Sequence, residues 1–181
     1  MTGRVKYKIS AGAIVLFSLI FFFDDTGAVS AMIPAAAIHE LGHLIALRHY
    51  GARVKSFGLS AFGLEIEYSG LISNKHTAIS LIAGPLFGGV WAAAAMAAGT
   101  PFFALSGAIS LMLTVFNLLP VLPLDGGRLI SCIFGEEKAK RISRVVAIMM
   151  LALGVLALTA FRLPSLLMIS VWIFVYNFGS T

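Results

Sequence analysis

The sequence holds a single cysteine, Cys132, which excludes an internal disulfide and a cysteine-built zinc cluster. Charge is nearly as scarce. Only 12% of residues are Asp, Glu, Lys or Arg, against about 25% in an average soluble domain. No internal repeat, low-complexity tract or linker breaks the chain, so residues 1–181 are expected to form one domain. No basic patch is interleaved with aromatic residues, and nucleic acid is therefore not expected as a partner.

What is present is apolar. Hydrophobic residues make up 59% of the 181, and the mean hydropathy is +0.97. A soluble fold of this size could not bury that much apolar surface and still keep polar cover. The bilayer is the natural solvent, and the lipid bilayer is the first expected partner. Six apolar runs can be counted, at 9–23, 28–47, 77–98, 102–119, 142–161 and 163–178. A span needs about 20 residues to cross about 30 Å of hydrocarbon, so the first and last are short. The basic leader Met1 to Lys8 followed by Ile9 to Phe23 has the look of a signal peptide. Asp24 and Asp25 follow without a small-x-small cleavage site, and a retained first span is expected.

With six spans, twelve of the thirteen Lys and Arg fall on one side, leaving only Arg162 on the other with Asp24 and Asp25. This positive-inside pattern places both termini in the cytoplasm and makes the chain an integral multi-pass protein of the cell membrane. The fold class expected is an all-α polytopic membrane protein. One stretch differs: Arg53 to Tyr68 alternates apolar and polar positions, with a phase change near Ser60-Ala61. That pattern predicts a short β-hairpin on the cytoplasmic side between the second and third spans. Its edge suits the addition of an extended peptide, and a hairpin that only packs on the membrane surface is the equal alternative.

The second span contains His39-Glu40-Leu41-Gly42-His43. Residues i and i+4 share a helix face, so both imidazoles can converge on one zinc, with Glu40 placed as general base toward a water at the metal. Ionisable groups inside a span cost roughly 2.5–3.5 kcal/mol each on insertion scales, and a metal in a polar cavity offsets that cost. Buried helix histidines with a stray Glu are the plainer reading, and this cost weighs against it. Gly42 allows another backbone or a substrate to come close. A catalytic zinc needs a third protein ligand. His49 and His76 lie at predicted helix ends beside charged residues, where solvent or headgroups suffice for them.

Asp125 is the one carboxylate at the mouth of another span, in the run Asn117-Leu118-Leu119-Pro120-Val121-Leu122-Pro123-Leu124-Asp125-Gly126-Gly127. Pro120 and Pro123 break the helix, and Gly126-Gly127 permits unusual backbone angles and close approach. A helix N-cap is the plain role for Asp125. By helical rise from Arg48, His43 lies about 7 Å and His39 about 13 Å inside the bilayer, toward the leaflet where Asp125 also falls.

These two motifs together resemble the site-2 protease family of intramembrane zinc metalloproteases, peptidase family M50. The resemblance extends to the six-span order and the hairpin. It implies one zinc per chain held by His39, His43 and Asp125, with water activated by Glu40 and Asn117 positioning substrate backbone or the developing oxyanion. It implies a zinc metalloendopeptidase that cuts within or near the transmembrane segment of a membrane-anchored regulator, and leaves room for a regulatory membrane partner. The family's third span often carries Gly-Pro-x-x-Asn, whereas this chain has Gly84-Pro85 with Gly88 at the Asn position. No PDZ-like insertion or appended ligand-sensing domain is expected, which is similar to the small sporulation-type branch. Two other classes of function are a zinc-binding membrane transporter and a non-catalytic membrane scaffold. The absence of a repeat, and of polar pathway residues across several spans, argues against the first, and Glu40 argues against the second.

Overall fold

A computed structural model describes residues 6–9, 18, 21–22, 24–60, 63–70 and 73–179. The elements run in the order β1 (Lys6–Ile9), α1 (Ala28–His49), β2 (Arg53–Ser60), β3 (Gly63–Ser69), α2 (Asn74–Ala97), α3 (Pro101–Asn117), α4 (Asp125–Phe134), α5 (Glu136–Phe161) and α6 (Pro164–Phe178). The predicted first span, 9–23, falls almost wholly outside the described residues. The chain forms two compact units, Met1–Thr114 and Val115–Thr181.

In the first unit, α1 begins beside Asp24. Its carboxylate accepts from the Val29 N–H at 2.7 Å and from the Thr26 hydroxyl at 2.7 Å. That does for the orphan amides of the first turn what an N-cap side chain does, since Gly27 at the cap position has none. The chain leaves α1 through Gly51, whose φ of +83° suits glycine, and enters the sheet. Strand order is β1-β2-β3, with β3 antiparallel to β2 and β1 parallel to it from Lys6↔Ser56 to Ile9↔Leu59. The N-terminal strand is a departure from the expected two-stranded element. Lys6-Tyr7-Lys8-Ile9 alternates charged and apolar residues, a strand signal hidden by reading the lysines as a membrane flank. Ser73 caps α2 by accepting from the His76 N–H at 3.3 Å.

Helices α1 and α2 approach closely because glycine lines their contact. A Cβ on Gly42 would lie 2.5 Å from the Ala83 carbonyl oxygen. From α3, Ser110 donates to the Gly88 carbonyl at 2.8 Å, and Ser106 accepts from the Trp91 indole at 3.0 Å. The second unit pairs α5 with α6 about Gly154, where a Cβ would meet the Ser170 hydroxyl at 2.3 Å. Its core is Val121, Leu124, Ala147 and Ile173.

Both units place small residues inside and large apolar ones outside. Ala31, Ala35, Ser106, Ser110, Ser143 and Ala147 are fully covered, while Leu153 and Met168 are 62% and 72% exposed. Water would reverse that order; lipid permits it, because helix association there rests on close packing and hydrogen bonds. Among the described residues, three helices are long and apolar enough to cross a membrane: α1, α2 and α5, of 22, 24 and 26 residues. The apolar helices α3 and α6 are shorter, at 17 and 15 residues. The described chain is thus a mostly helical membrane protein.

Candidate metal centre

His39 and His43 lie one turn apart on α1, the first buried and the second half-buried. Their Nε2 atoms are 3.3 Å apart. His43 Nδ1 sits 2.8 Å from the Ser80 carbonyl oxygen of α2. A carbonyl only accepts, so Nδ1 carries the hydrogen and Nε2 presents its lone pair. Two imidazoles on a tetrahedral zinc at about 2.0–2.1 Å stand about 3.3 Å apart, so the pair fits that ion. Glu40, half-buried, follows His39 on the same helix.

Glycines of α2 form the wall beside this pair. A Cβ on Gly84 would fall 2.1 Å from His43 Nε2, and one on Gly88 would stand 3.4 Å from His39 Nδ1. Gly84-Pro85 entered the sequence reading as part of the third-span motif; the closest neighbour of a Cβ at Gly84 is the His43 ring itself. The other two histidines stay out of the pair. His76 stacks on Tyr50 at 4.2 Å between centroids, and His49 meets the same Tyr50 edge-on at 5.1 Å.

Asp125 belongs to the second unit, where it is the first residue of α4, favourably placed for a carboxylate at a helix N-terminus. Leu124, not Asp125, occupies the N-cap position. Helix α3 ends at Asn117, and residues 118–124 turn back before α4. Gly126 and Gly127 are required by closeness rather than by backbone angle. Neither has positive φ, but Cβ atoms there would lie 2.3 Å from the Leu118 oxygen and 2.4 Å from the Val121 carbonyl carbon. The turn is pinned from outside as well. The Leu122 N–H donates to Ser143 Oγ at 3.0 Å, and the Asn177 amide donates to the Leu122 carbonyl at 2.7 Å.

Ser80, Ser143 and Asn177 were not singled out in the sequence. Asn177 alone carried a usable signal, being the one amide side chain in the largely apolar helix α6. The Ser80 contribution is a backbone carbonyl, which no residue type announces.

Apolar helices with small-residue interiors define a membrane protein, and the histidine pair on α1 has the spacing that suits a metal ion. Residues 67–161, 95 of the 181, match the family model described as Peptidase family M50, and the chain belongs to that family. The matched stretch includes Asn117 and Asp125 and begins after the histidine pair. Rip3 of Mycobacterium tuberculosis is 31% identical over 159 residues, covering 76% of this chain and 40% of Rip3. Zinc metalloprotease MJ0392 of Methanocaldococcus jannaschii is 27% identical over 163 residues, covering 81% of this chain and 46% of that protein. The chain thus spans less than half the length of these relatives. The solved site-2 protease from Methanocaldococcus jannaschii superposes with a TM-score of 0.72 at 21% identity, over 98% of this chain and 90% of that one, and so has the same fold.

Proposed function

We propose that this chain is an intramembrane zinc endopeptidase, with one zinc per chain held by His39, His43 and Asp125. The observation that carries the reading is the 3.3 Å approach of the two Nε2 atoms on a membrane-length helix, with Glu40 between them in sequence. The third ligand on this reading is Asp125, the carboxylate of the second motif, which opens α4. On this reading residues 1–181 act as a single catalytic domain, and Asp125 completes a site begun on α1.

Zinc there supplies Lewis acidity toward water and a peptide carbonyl. The protein's own groups do the rest. Glu40 takes the proton from the attacking water and returns it to the departing amine. Ser80 holds the His43 ring, and the turn pinned by Ser143 and Asn177 presents Asp125. Asn117, at the end of α3, donates its amide to the substrate backbone or the developing oxyanion. The substrate is the transmembrane segment of a membrane-anchored regulator, unwound for cleavage and steadied by strand addition at the sheet edge. Both termini and the sheet lie on the cytoplasmic side, following the distribution of basic residues.

The test measures zinc content and cleavage of a single-span reporter for wild type and Glu40→Gln. One zinc per chain in both, with cleavage only by wild type, is expected. Equal cleavage by both would remove Glu40 from its role, and zinc flux into liposomes without proteolysis would favour a transporter. Zinc binding with neither activity would favour a scaffold.

A further inference from the structure

The second unit contains a cavity of about 490 Å³ between α5 and the end of α6. One part of its wall is charged: Glu137, Lys140, Arg141 and Arg144. Three cations against one carboxylate leave it clearly basic. Glu136 approaches Lys140 at 3.9 Å, but both side chains are well exposed, so this pair offsets little of the charge.

Arg144 is held in place. Its Nε donates to the Asn177 carbonyl at 3.4 Å, and its guanidinium carbon lies 5.7 Å from the Phe178 ring centroid. Since Nε is the nitrogen engaged, the tip of the guanidinium keeps the paired N–H donors that suit a phosphate. Asn177 also bonds the Leu122 carbonyl, so the residue that holds Arg144 also holds the turn before Asp125.

The rest of the wall is apolar: Val145, Ile148 and Phe178. Positions 137, 141, 144 and 148 recur on one face of α5, so the face changes from charged to apolar along the helix. From Arg144 to Ile148 the rise is about 6 Å, directed into the apolar part of the span. Val145 and Ile148 are 55% and 53% exposed, consistent with contact by an acyl chain. A free phosphate uses only the basic half of such a cavity. A phospholipid uses both.

We propose that this cavity binds an anionic phospholipid, with its phosphate on Arg141 and Arg144 and its chain along Val145 and Ile148. Basic pockets between membrane helices recognise such headgroups, and each Lys or Arg near an anionic surface contributes about 1 kcal/mol, or about fivefold in affinity. The proposal rests on the chain spanning a membrane and is independent of its zinc chemistry.

The test is native mass spectrometry of the full chain extracted from nanodiscs of phosphatidylcholine containing graded phosphatidylglycerol. Wild type should retain one phosphatidylglycerol in preference to phosphatidylcholine. Arg141→Gln should weaken retention about fivefold and Arg141→Gln/Arg144→Gln more strongly. Lys138→Gln, on the same helix but outside the cavity wall, should leave it unchanged. The single Arg141 variant keeps the Arg144–Asn177 bond, so its loss of lipid cannot come from loosening α6. Equal weakening by Lys138→Gln would reduce the effect to diffuse surface charge and overturn the proposal. So would wild-type retention by the double variant, or displacement of the lipid by inorganic phosphate at comparable concentration.

Discussion

Gly84 stands so close to His43 that a Cβ at residue 84 would lie 2.1 Å from the imidazole Nε2. No methyl group fits there unless the ring turns, and turning it breaks the 2.8 Å contact between Nδ1 and the Ser80 carbonyl. Gly84→Ala should therefore lower zinc affinity by about 10–100-fold, the usual scale for losing the group that orients a histidine ligand. Competition with a chelator measures it, with circular dichroism as the check that the helices persist. Unchanged affinity would mean that the glycine serves packing alone.

Gly88 occupies the position where the resembling family often has Asn, and its surroundings explain why Asn cannot simply be restored. A Cβ there would fall 2.6 Å from Thr114 Oγ1 and 3.5 Å from Ser110 Oγ. Gly88→Asn should destabilise the first unit by about 1–3 kcal/mol through overpacking. Adding Thr114→Ala should recover at least half of that loss, measured by denaturation in detergent. Without recovery, the obstruction would lie elsewhere than Thr114.

The two halves of the proposed site were unequally legible in the sequence. His39 and His43 could be placed because helical periodicity alone puts i and i+4 on one face, whatever surrounds the helix. Asp125 was visible only through the prolines that break α3 and the carboxylate beyond them. Its supports were not visible, because Ser143 and Asn177 reach the turn from α5 and α6, and such contacts have no local pattern. The apolar runs 28–47, 77–98, 102–119, 142–161 and 163–178 correspond to α1, α2, α3, α5 and α6, while β1 was missed because four residues are too few for periodicity to outweigh a basic flank. For Gly126-Gly127 the sequence supplied two reasons, and only close approach applies.

Asp24 ties the start of α1 to pH. Bonds from the Thr26 hydroxyl and the Val29 N–H hold its carboxyl down to about 2, from an ordinary 3.8. Because the folded value is the lower one, the stabilisation is complete above about pH 4 and is lost as pH falls through about 2. The carboxyl-carbon shift of Asp24 should titrate with a midpoint near 2. Thr26→Val should raise that midpoint toward the ordinary value, since the hydroxyl is the largest cause of the shift. A midpoint already near 4 in wild type would show that the carboxylate does not cap α1 in solution.

Asn177 supplies both amide hydrogens to main-chain carbonyls, Leu122 at 2.7 Å and Ile173 at 2.8 Å. The Ile173 bond lies within α6, whereas the Leu122 bond crosses to the turn that precedes Asp125. Asn177→Leu keeps the size of the side chain and removes both donors, leaving the Leu122 carbonyl without this partner at a cost of about 1–3 kcal/mol. Ser143 still holds the Leu122 N–H, so the turn should loosen rather than detach. Amide exchange at Leu122 and Leu124 should then rise at least about tenfold, matching about 1.4 kcal/mol, while exchange around Gly154 stays as in wild type. Zinc affinity should fall in parallel, because a mobile turn presents Asp125 less well. Faster exchange with zinc affinity intact would separate the turn from the metal site and leave Asn177 a purely structural residue of the α5–α6 unit.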